Sequence, residues 1–278
     1  NRFSGNSLSE TGGGISLLQE WTPAVTENRI DRASNFGAVG SQLFGRCDFI
    51  ANRITSAGYD NNFAIGIGVA FHAGELHIES NEIIDTGLIA DQDEISTRSI
   101  GIFGEFIMEA RVESNLVTYT NAFTRDPERE DRALRMRGLA EATINDNLTL
   151  GFPIQIISNK FIGTGRSALV ELAQASQNFG NITLFIRFER VSFDHNYCMH
   201  VASENVGGET GANFTGATVS LVGRQGIVMG NHIKATNRSI SSVNFNGMPG
   251  PFIGNVTTSG SSQHPQFPAP ENNFNMLA

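Results

Sequence analysis

Apolar and polar side chains alternate with a period of two over much of the chain, as in Ile65-Gly66-Ile67-Gly68-Val69, Leu184-Phe185-Ile186-Arg187-Phe188 and Val219-Ser220-Leu221. A period of two sends alternate side chains to opposite faces of an extended segment, so these runs predict strands with one face turned to a core. A longer pattern lies over the alternation. It consists of an apolar residue, two variable residues, Asn, one variable residue, and a second apolar or small residue. It occurs at Val25/Asn28/Ile30, Phe49/Asn52/Ile54, Ile78/Asn81/Ile83, Val112/Asn115/Val117, Ile144/Asn147/Thr149, Ile156/Asn159/Phe161, Phe193/Asn196/Cys198, Val228/Asn231/Ile233 and Phe252/Asn255/Thr257. Every copy keeps an apolar residue three positions before the Asn.

Self-similarity at a spacing of about two dozen residues, lengthened by loops, belongs to stacked repeat architectures. Asn147 and Asn159 are too close for a full turn and are expected on two corners of one coil. Each coil then reads as strand, Gly-rich turn, strand ending in an Asn corner, strand. Asn suits a sharp corner on two counts. It tolerates the left-handed backbone region, and its amide can donate and accept between strands stacked about 4.8 Å apart. The flanking apolar positions would stack in columns inside.

This pattern resembles the right-handed parallel β-helix proteins of the pectate-lyase-like superfamily, over residues 21–258. The resemblance implies an all-β, single-stranded right-handed parallel β-helix, a solenoid with an Asn-corner repeat; right-handed closure follows from chain chirality. The Leu-x-x-Leu-x-Leu frame of leucine-rich repeats is missing, and a single Trp, Trp21, rules out a Trp-Asp propeller signature. Residues 1–20 read as a linker and end cap, with Ile15 to Trp21 covering the open end. Residues 259–278, with four prolines, read as an extended tail. Inserts fall at 89–99, 120–132, 166–180 and 203–216, and Asp126-Pro127-Glu128 has the form of a helix start.

Composition narrows the function classes. With 19 Lys+Arg against 28 Asp+Glu, the net charge is −9, which argues against a nucleic-acid partner. No apolar run approaches the roughly 18 residues of a membrane span, so no membrane insertion is expected. Cys47 and Cys198 form neither a disulfide framework nor a zinc motif, and no metal site or cofactor is implied by sequence spacing. A start at Asn1 reads as a processed or trimmed chain, and an extracellular, particle or surface location is favoured.

The sharpest candidate chemistry comes from the repeat register. Glu79 and Glu113 each stand two residues before a corner Asn, and Asp194 holds the same position two coils further on. Stacked in register, Glu79 and Glu113 would lie about 5 Å apart, the separation of a retaining glycoside hydrolase, and three carboxylates together would suit calcium. An outward, solvated column of carboxylates has the same sequence. Asp91, Asp93 and Glu94 lack the EF-hand frame, and the mixed charges from Arg125 to Arg137 read as an ion-paired face. The resemblance implies signatures that this chain lacks, such as Arg-x-Pro-x-x-Arg or Asn-Thr-Asp, so no catalytic residue is carried over.

The positions one and three after each Asn should face outward. They hold Ile84, Leu116, Leu148, Leu150, Ile162, Tyr197 and Met199, an apolar row where polar residues belong. Such a stripe predicts a protein partner or self-association unless the chain covers it. The expected function is a non-enzymatic structural or binding module, a rigid part of a larger extracellular, phage-tail-like or cell-surface assembly. The alternatives are a carbohydrate-active enzyme, lyase or hydrolase, and a glycan-binding adhesin. In those readings Tyr59, Tyr119, Tyr197 or Trp21 could serve as a sugar platform.

Overall fold

The computed structural model describes residues 2–9, 14–18, 24–33, 36–41, 44–58, 63–87, 98–118, 130–138, 141–144, 148–150, 152–164, 168–173, 175–179, 182–201, 217–235, 241–257 and 276–277. Among them every regular element is a strand. They form sheets of thirteen, ten and four strands, the first two parallel in all their pairings and the smallest antiparallel.

The repeat frame is the unit that builds them. The residues up to each Asn belong to the thirteen-stranded sheet and those after it to the ten-stranded sheet, so each Asn marks the passage from one to the other. The apolar residue three before the Asn (Val25, Phe49, Ile78, Val112, Ile156, Phe193, Val228, Phe252) is at most 1 % exposed. So are Ile30, Ile54, Ile83, Val117, Phe161, Cys198 and Ile233, two after it, and both columns belong to one hydrophobic core. Burial of these columns is the main favourable term holding the sheets together.

Nine asparagines run along the seam in register: Asn6, Asn28, Asn52, Asn81, Asn115, Asn159, Asn196, Asn231 and Asn255. Each junction repeats the same five hydrogen bonds. Between Asn28 and Asn52, the Asn28 backbone N–H and Nδ2 both donate to Asn52 Oδ1 at 3.1 and 3.0 Å. Asn52 Nδ2 donates back to the Val25 carbonyl at 2.7 Å. The Glu27 N–H reaches the Ile50 carbonyl, and the Arg53 N–H reaches the Asn28 carbonyl. An interior amide side chain thus accepts twice and donates twice, which exhausts its capacity in a place without water.

The left-handed residue is not the Asn. It is the residue before it: Gly5, Glu27, Ala51, Ser80, Ser114, Ser158, His195, Gly230 and Gly254 all have φ between 55 and 68°. The Asn is required for its side-chain amide, and its neighbour makes the bend.

Residues 2–9 and the fifth copy of the frame differ from the sequence reading. Residues 2–9, read as linker, form the strands Arg2–Ser4 and Ser7–Ser9, which pair with Ala24–Thr26 and Arg29–Asp31. The signal was present, since Phe3/Asn6/Leu8 fits the frame. Conversely Asn115 bonds directly to Asn159, so no rung lies between them; Asn147 itself lies outside the described residues. Glu141–Ile144 and Leu148–Leu150 instead pair antiparallel with each other in the four-stranded sheet.

The single-stranded right-handed β-helix is also corrected. Arg98–Glu113 pairs through its first half with Glu130–Gly138 and through its last four residues with Pro153–Ile157. Ala217–Met229 likewise pairs with Val170–Ala173 through Val219 and Ser220, and with Phe188–Asp194 through its later residues. Glu130–Gly138 pairs with Val170–Ala173, and Pro153–Ile157 with Phe188–Asp194. The six strands therefore close on one another as a parallel barrel, with the ten-stranded parallel sheet beside it. The physical reason is strand length. Glycine was expected to break each coil into short strands, yet Phe63–Glu79 and Arg98–Glu113 run 17 and 16 residues without interruption. They bend at register shifts such as Gly104/Ile107, where Phe106 has φ 54°. A strand that bends without ending can serve two neighbours. The expected end cap is described only from Gly14 to Leu18, and Ile15–Leu18 is a strand on Phe36–Ser41. Of the tail, the described residues Met276–Leu277 pair with Val256–Thr257.

Candidate functional site

The outer face of the thirteen-stranded sheet carries residues two, four and six before each Asn, and its character changes along the stack. The early rungs are ionic. Arg46 Nε lies 2.5 Å from Asp48 Oδ1, and Arg111 donates to Glu113 Oε2 from Nε and Nη2, both at 2.6 Å. His77 Nε2 bonds Glu75 Oε1, and its Nδ1 is 4.0 Å from Asp48 Oδ1. The His77 bond holds the exposed Glu75 carboxyl below its ordinary range.

Glu79 and Glu113 stand directly opposite each other on neighbouring strands, as the repeat register predicts. Glu113 is engaged by Arg111 and Glu79 is exposed. Asp194 does not join them. Ile157 pairs with Glu113 on one side and Asp194 on the other, so a branched apolar side chain separates the third carboxylate from the pair. Asp194 Oδ2 accepts from Ser192 Oγ instead. Among the described residues no three His, Cys, Asp or Glu side chains are placed to hold a metal ion. Asp91, Asp93, Glu94, Tyr59, Tyr119, Trp21 and the Asp126-Pro127-Glu128 helix start lie outside the described residues.

From the Asn159 rung onward the same face becomes a groove of about 650 Å³. Pro153, Gln155, Arg190, Ser192, Gln225 and Ile227 line it, with Pro251 at its end. Gln155, Ser192 and Ile227 are the residues four before consecutive ladder asparagines, paired across Pro153–Ile157, Phe188–Asp194 and Ala217–Met229. Arg190 is exposed and has no ion-pair or hydrogen-bond partner among the described residues. Ile227 and Ile253, both 39 % exposed, are the large apolar side chains this face leaves to solvent. The groove's signal lies in the columns four and six before the Asn, whereas the sequence reading drew on the columns two before and one and three after it.

The outward row after the Asn is present in part. Ile84, Leu116, Ile162, Tyr197 and Met199 are half-buried on the outer side of the ten-stranded sheet. Leu148 and Leu150 sit in the antiparallel sheet and are corrected out of that row. The row is also interrupted by cations. Tyr197 has Lys160 Nζ at 5.8 Å and Lys234 Nζ at 5.9 Å from its ring centroid, and His232 meets it edge-on at 5.3 Å. The two ammonium groups lie within cation–π range of the Tyr197 ring. Arg132 and Arg135, expected to pair with nearby acids, converge on Glu171 Oε2 from the next strand at 2.9 and 3.1 Å.

Buried titratable groups lie in the core. Burial pushes the Cys47 thiol up to about 12 and the Cys198 thiol upward too, so both stay protonated and unreactive near neutrality. His72, 1 % exposed, has Nε2 3.3 Å from the Glu75 carbonyl; a carbonyl only accepts, so this nitrogen carries the proton. Burial lowers its pKa below 6.5, against the opposing pull of backbone contacts at Glu75 and Gly45. Between the lowered folded value and 6.5 the unfolded chain binds more protons than the folded one, so stability falls as pH falls through that window. His72→Gln should flatten the slope of unfolding free energy below pH 6.5 relative to the parent, read by urea titration at each pH.

In comparison with known proteins, no family model, no curated protein and no solved structure matches the chain.

Proposed function

We propose that the chain is a non-enzymatic structural and binding module, a rigid component of a larger assembly that works through its outer faces. The observation that supports this reading is the seam. The same five hydrogen bonds recur at eight consecutive junctions, and the interior amides from Asn28 to Asn231 are filled at every valence. A run of nine rungs at about 4.8 Å makes a stiff seam of about 38 Å. The candidate acid pair fits this reading, because Glu113 is held by Arg111.

A second reading has its own observation. Arg190, unpartnered among the described residues, lies with Gln155, Gln225 and Ile227 in a groove on a chain of net charge −9. A guanidinium and two amides beside an exposed aliphatic surface suit a carboxylated polysaccharide.

One panel of neutral and acidic polysaccharides, with and without calcium, tests both. No new reducing ends are expected from the parent chain. Release that disappears in Glu79→Gln or Glu113→Gln overturns the non-enzymatic reading. Read for retention instead, binding of carboxylated polymers that Arg190→Gln abolishes supports the second reading, and indifference to Arg190→Gln removes it.

A further inference from the structure

Three consecutive rungs place a basic and apolar patch on the outer side of the ten-stranded sheet. Lys160, Tyr197 and His232 follow the ladder asparagines Asn159, Asn196 and Asn231 by one residue and pair across neighbouring strands. Ile162, Met199 and Lys234 follow the same asparagines by three and pair likewise. Alternation along each strand turns all six to one side, away from the buried Phe161, Cys198 and Ile233 between them. None of the six is acidic, on a chain whose net charge is −9. The first carboxylate met along this sheet, Glu82, stands two rungs before Lys160 and lies 3.5 Å from Arg53.

The donors of the patch lack strong acceptors. Lys160 Nζ and Lys234 Nζ lie 5.8 and 5.9 Å from the Tyr197 ring centroid, and among the described residues neither ammonium group has a hydrogen-bond or ion-pair partner. The Tyr197 hydroxyl donates to Met199 Sδ at 3.8 Å, and a thioether is a weak acceptor. The ring is not an open platform either. The strands on its two sides each hold an ammonium over it, and His232 meets it edge-on at 5.3 Å. A sugar stacking on Tyr197 would have to displace those cations, whereas a carboxylate meets them where they stand. Ile162 and Met199, half-buried beside the ring, offer no group to a sugar hydroxyl and suit apolar side chains. Aromatic and Met side chains at the centre with charge around them are the composition of a protein interface.

We propose that this patch docks an acidic segment of a partner polypeptide. Its carboxylates accept from the Lys160 and Lys234 ammonium groups and from the Tyr197 hydroxyl, which turns away from Met199. Its apolar side chains lie on Ile162 and Met199. Complementary charge selects the partner, since no other sign of charge occurs among the six residues. The inference deepens the assembly reading and rests on it.

The probe is a fluorescein-labelled synthetic peptide, Glu-Leu-Glu-Phe-Glu-Leu-Glu, titrated with the full chain and read by anisotropy. Binding should saturate below millimolar concentration, weaken as added salt screens the charges, and shift the NMR signals of the Tyr197 ring and the Met199 methyl group. Lys160→Gln combined with Lys234→Gln should weaken binding at least tenfold, while Lys160→Arg combined with Lys234→Arg should keep it. Unchanged urea midpoints in both pairs separate loss of charge from loss of fold. The same peptide with Gln for every Glu should not bind. Equal binding of the two peptides, indifference to the Gln variants, or perturbation of Gln155 and Gln225 in place of Tyr197 overturns the proposal. So does an absence of binding at millimolar peptide, which is also the result if a segment of this chain already holds the patch. Alginate that shifts Tyr197 and excludes the peptide would overturn it in favour of a glycan. None of these outcomes bears on the release of reducing ends, so failure here is distinguishable from failure of the non-enzymatic reading.

Discussion

Asn115→Leu is expected to lower the free energy of unfolding by about 4 kcal/mol, since buried groups left without partners cost about 1–3 kcal/mol each. The side chain of Asn115 accepts from the Asn81 N–H and Nδ2 and donates to Asn159 Oδ1 and the Ile78 carbonyl, all at 2.8–3.0 Å and all buried. Leucine has similar volume and answers none of them. Two donors on Asn81 and the Ile78 carbonyl are left facing hydrocarbon, and Asn159 Oδ1 keeps only the Asn115 backbone N–H. Asn6→Leu should cost about 1 kcal/mol, because Asn6 only donates and its groups can reach water. Urea titration of both variants decides the matter: equal losses at the middle and the end would show that the amide chain contributes nothing beyond local packing.

Gly74→Ala should be comparably severe, about 3 kcal/mol or more, at the upper end of overpacking costs. Gly74 pairs with Gly45, and a Cβ at Gly74 would lie 1.8 Å from the Gly45 carbonyl oxygen and 2.8 Å from its nitrogen. Those are backbone atoms, so relief requires Phe44–Ile50 and Phe63–Glu79 to part. Gly45 cannot readily rotate away, since its φ of 104° is already in a region that side chains avoid. Gly5→Ala is the matched control. Gly5 has a positive φ, which Gly74 does not, but its surroundings are open, and Ala51 occupies the equivalent place in the third rung. A shift in the urea midpoint for Gly74→Ala with near-parental behaviour for Gly5→Ala is the expected pattern. Equal shifts would show that close strand contact at Gly74 does not set the cost.

The ladder was legible because each rung needs the same residue for the same four side-chain bonds, which stamps a six-residue frame on the chain. What the frame lacks is register. Ile144/Asn147/Thr149 satisfies it, yet the ladder passes from Asn115 straight to Asn159, and the flanking strands Glu141–Ile144 and Leu148–Leu150 pair with each other. The short distance from Asn147 to Asn159 was the available warning. Ring closure was not legible. It depends on which neighbour each half of Arg98–Glu113 joins, and alternation of side chains carries no information about partners. The Glu79–Glu113 pairing was readable because both residues have the same offset from a ladder Asn; Asp194 has that offset two coils further on, and it is kept from the pair by Ile157, which holds the offset in the intervening Asn159 rung. The groove draws Gln155, Arg190, Ser192 and Ile227 from three strands far apart in sequence, so it emerges only once the rungs are stacked.

The seam also constrains symmetry. Every side-chain amide from Asn6 to Asn231 gives one Nδ2 hydrogen to the next side-chain oxygen in the same direction. The row is therefore a one-way array of dipoles, and the face at Asn6 shows oxygen where a continuing rung must show N–H. Two such faces brought together by a twofold axis would set acceptor against acceptor. An isologous dimer cannot carry the array across its axis, so any assembly that prolongs the seam must be head-to-tail, with growth that is directional and not self-closing.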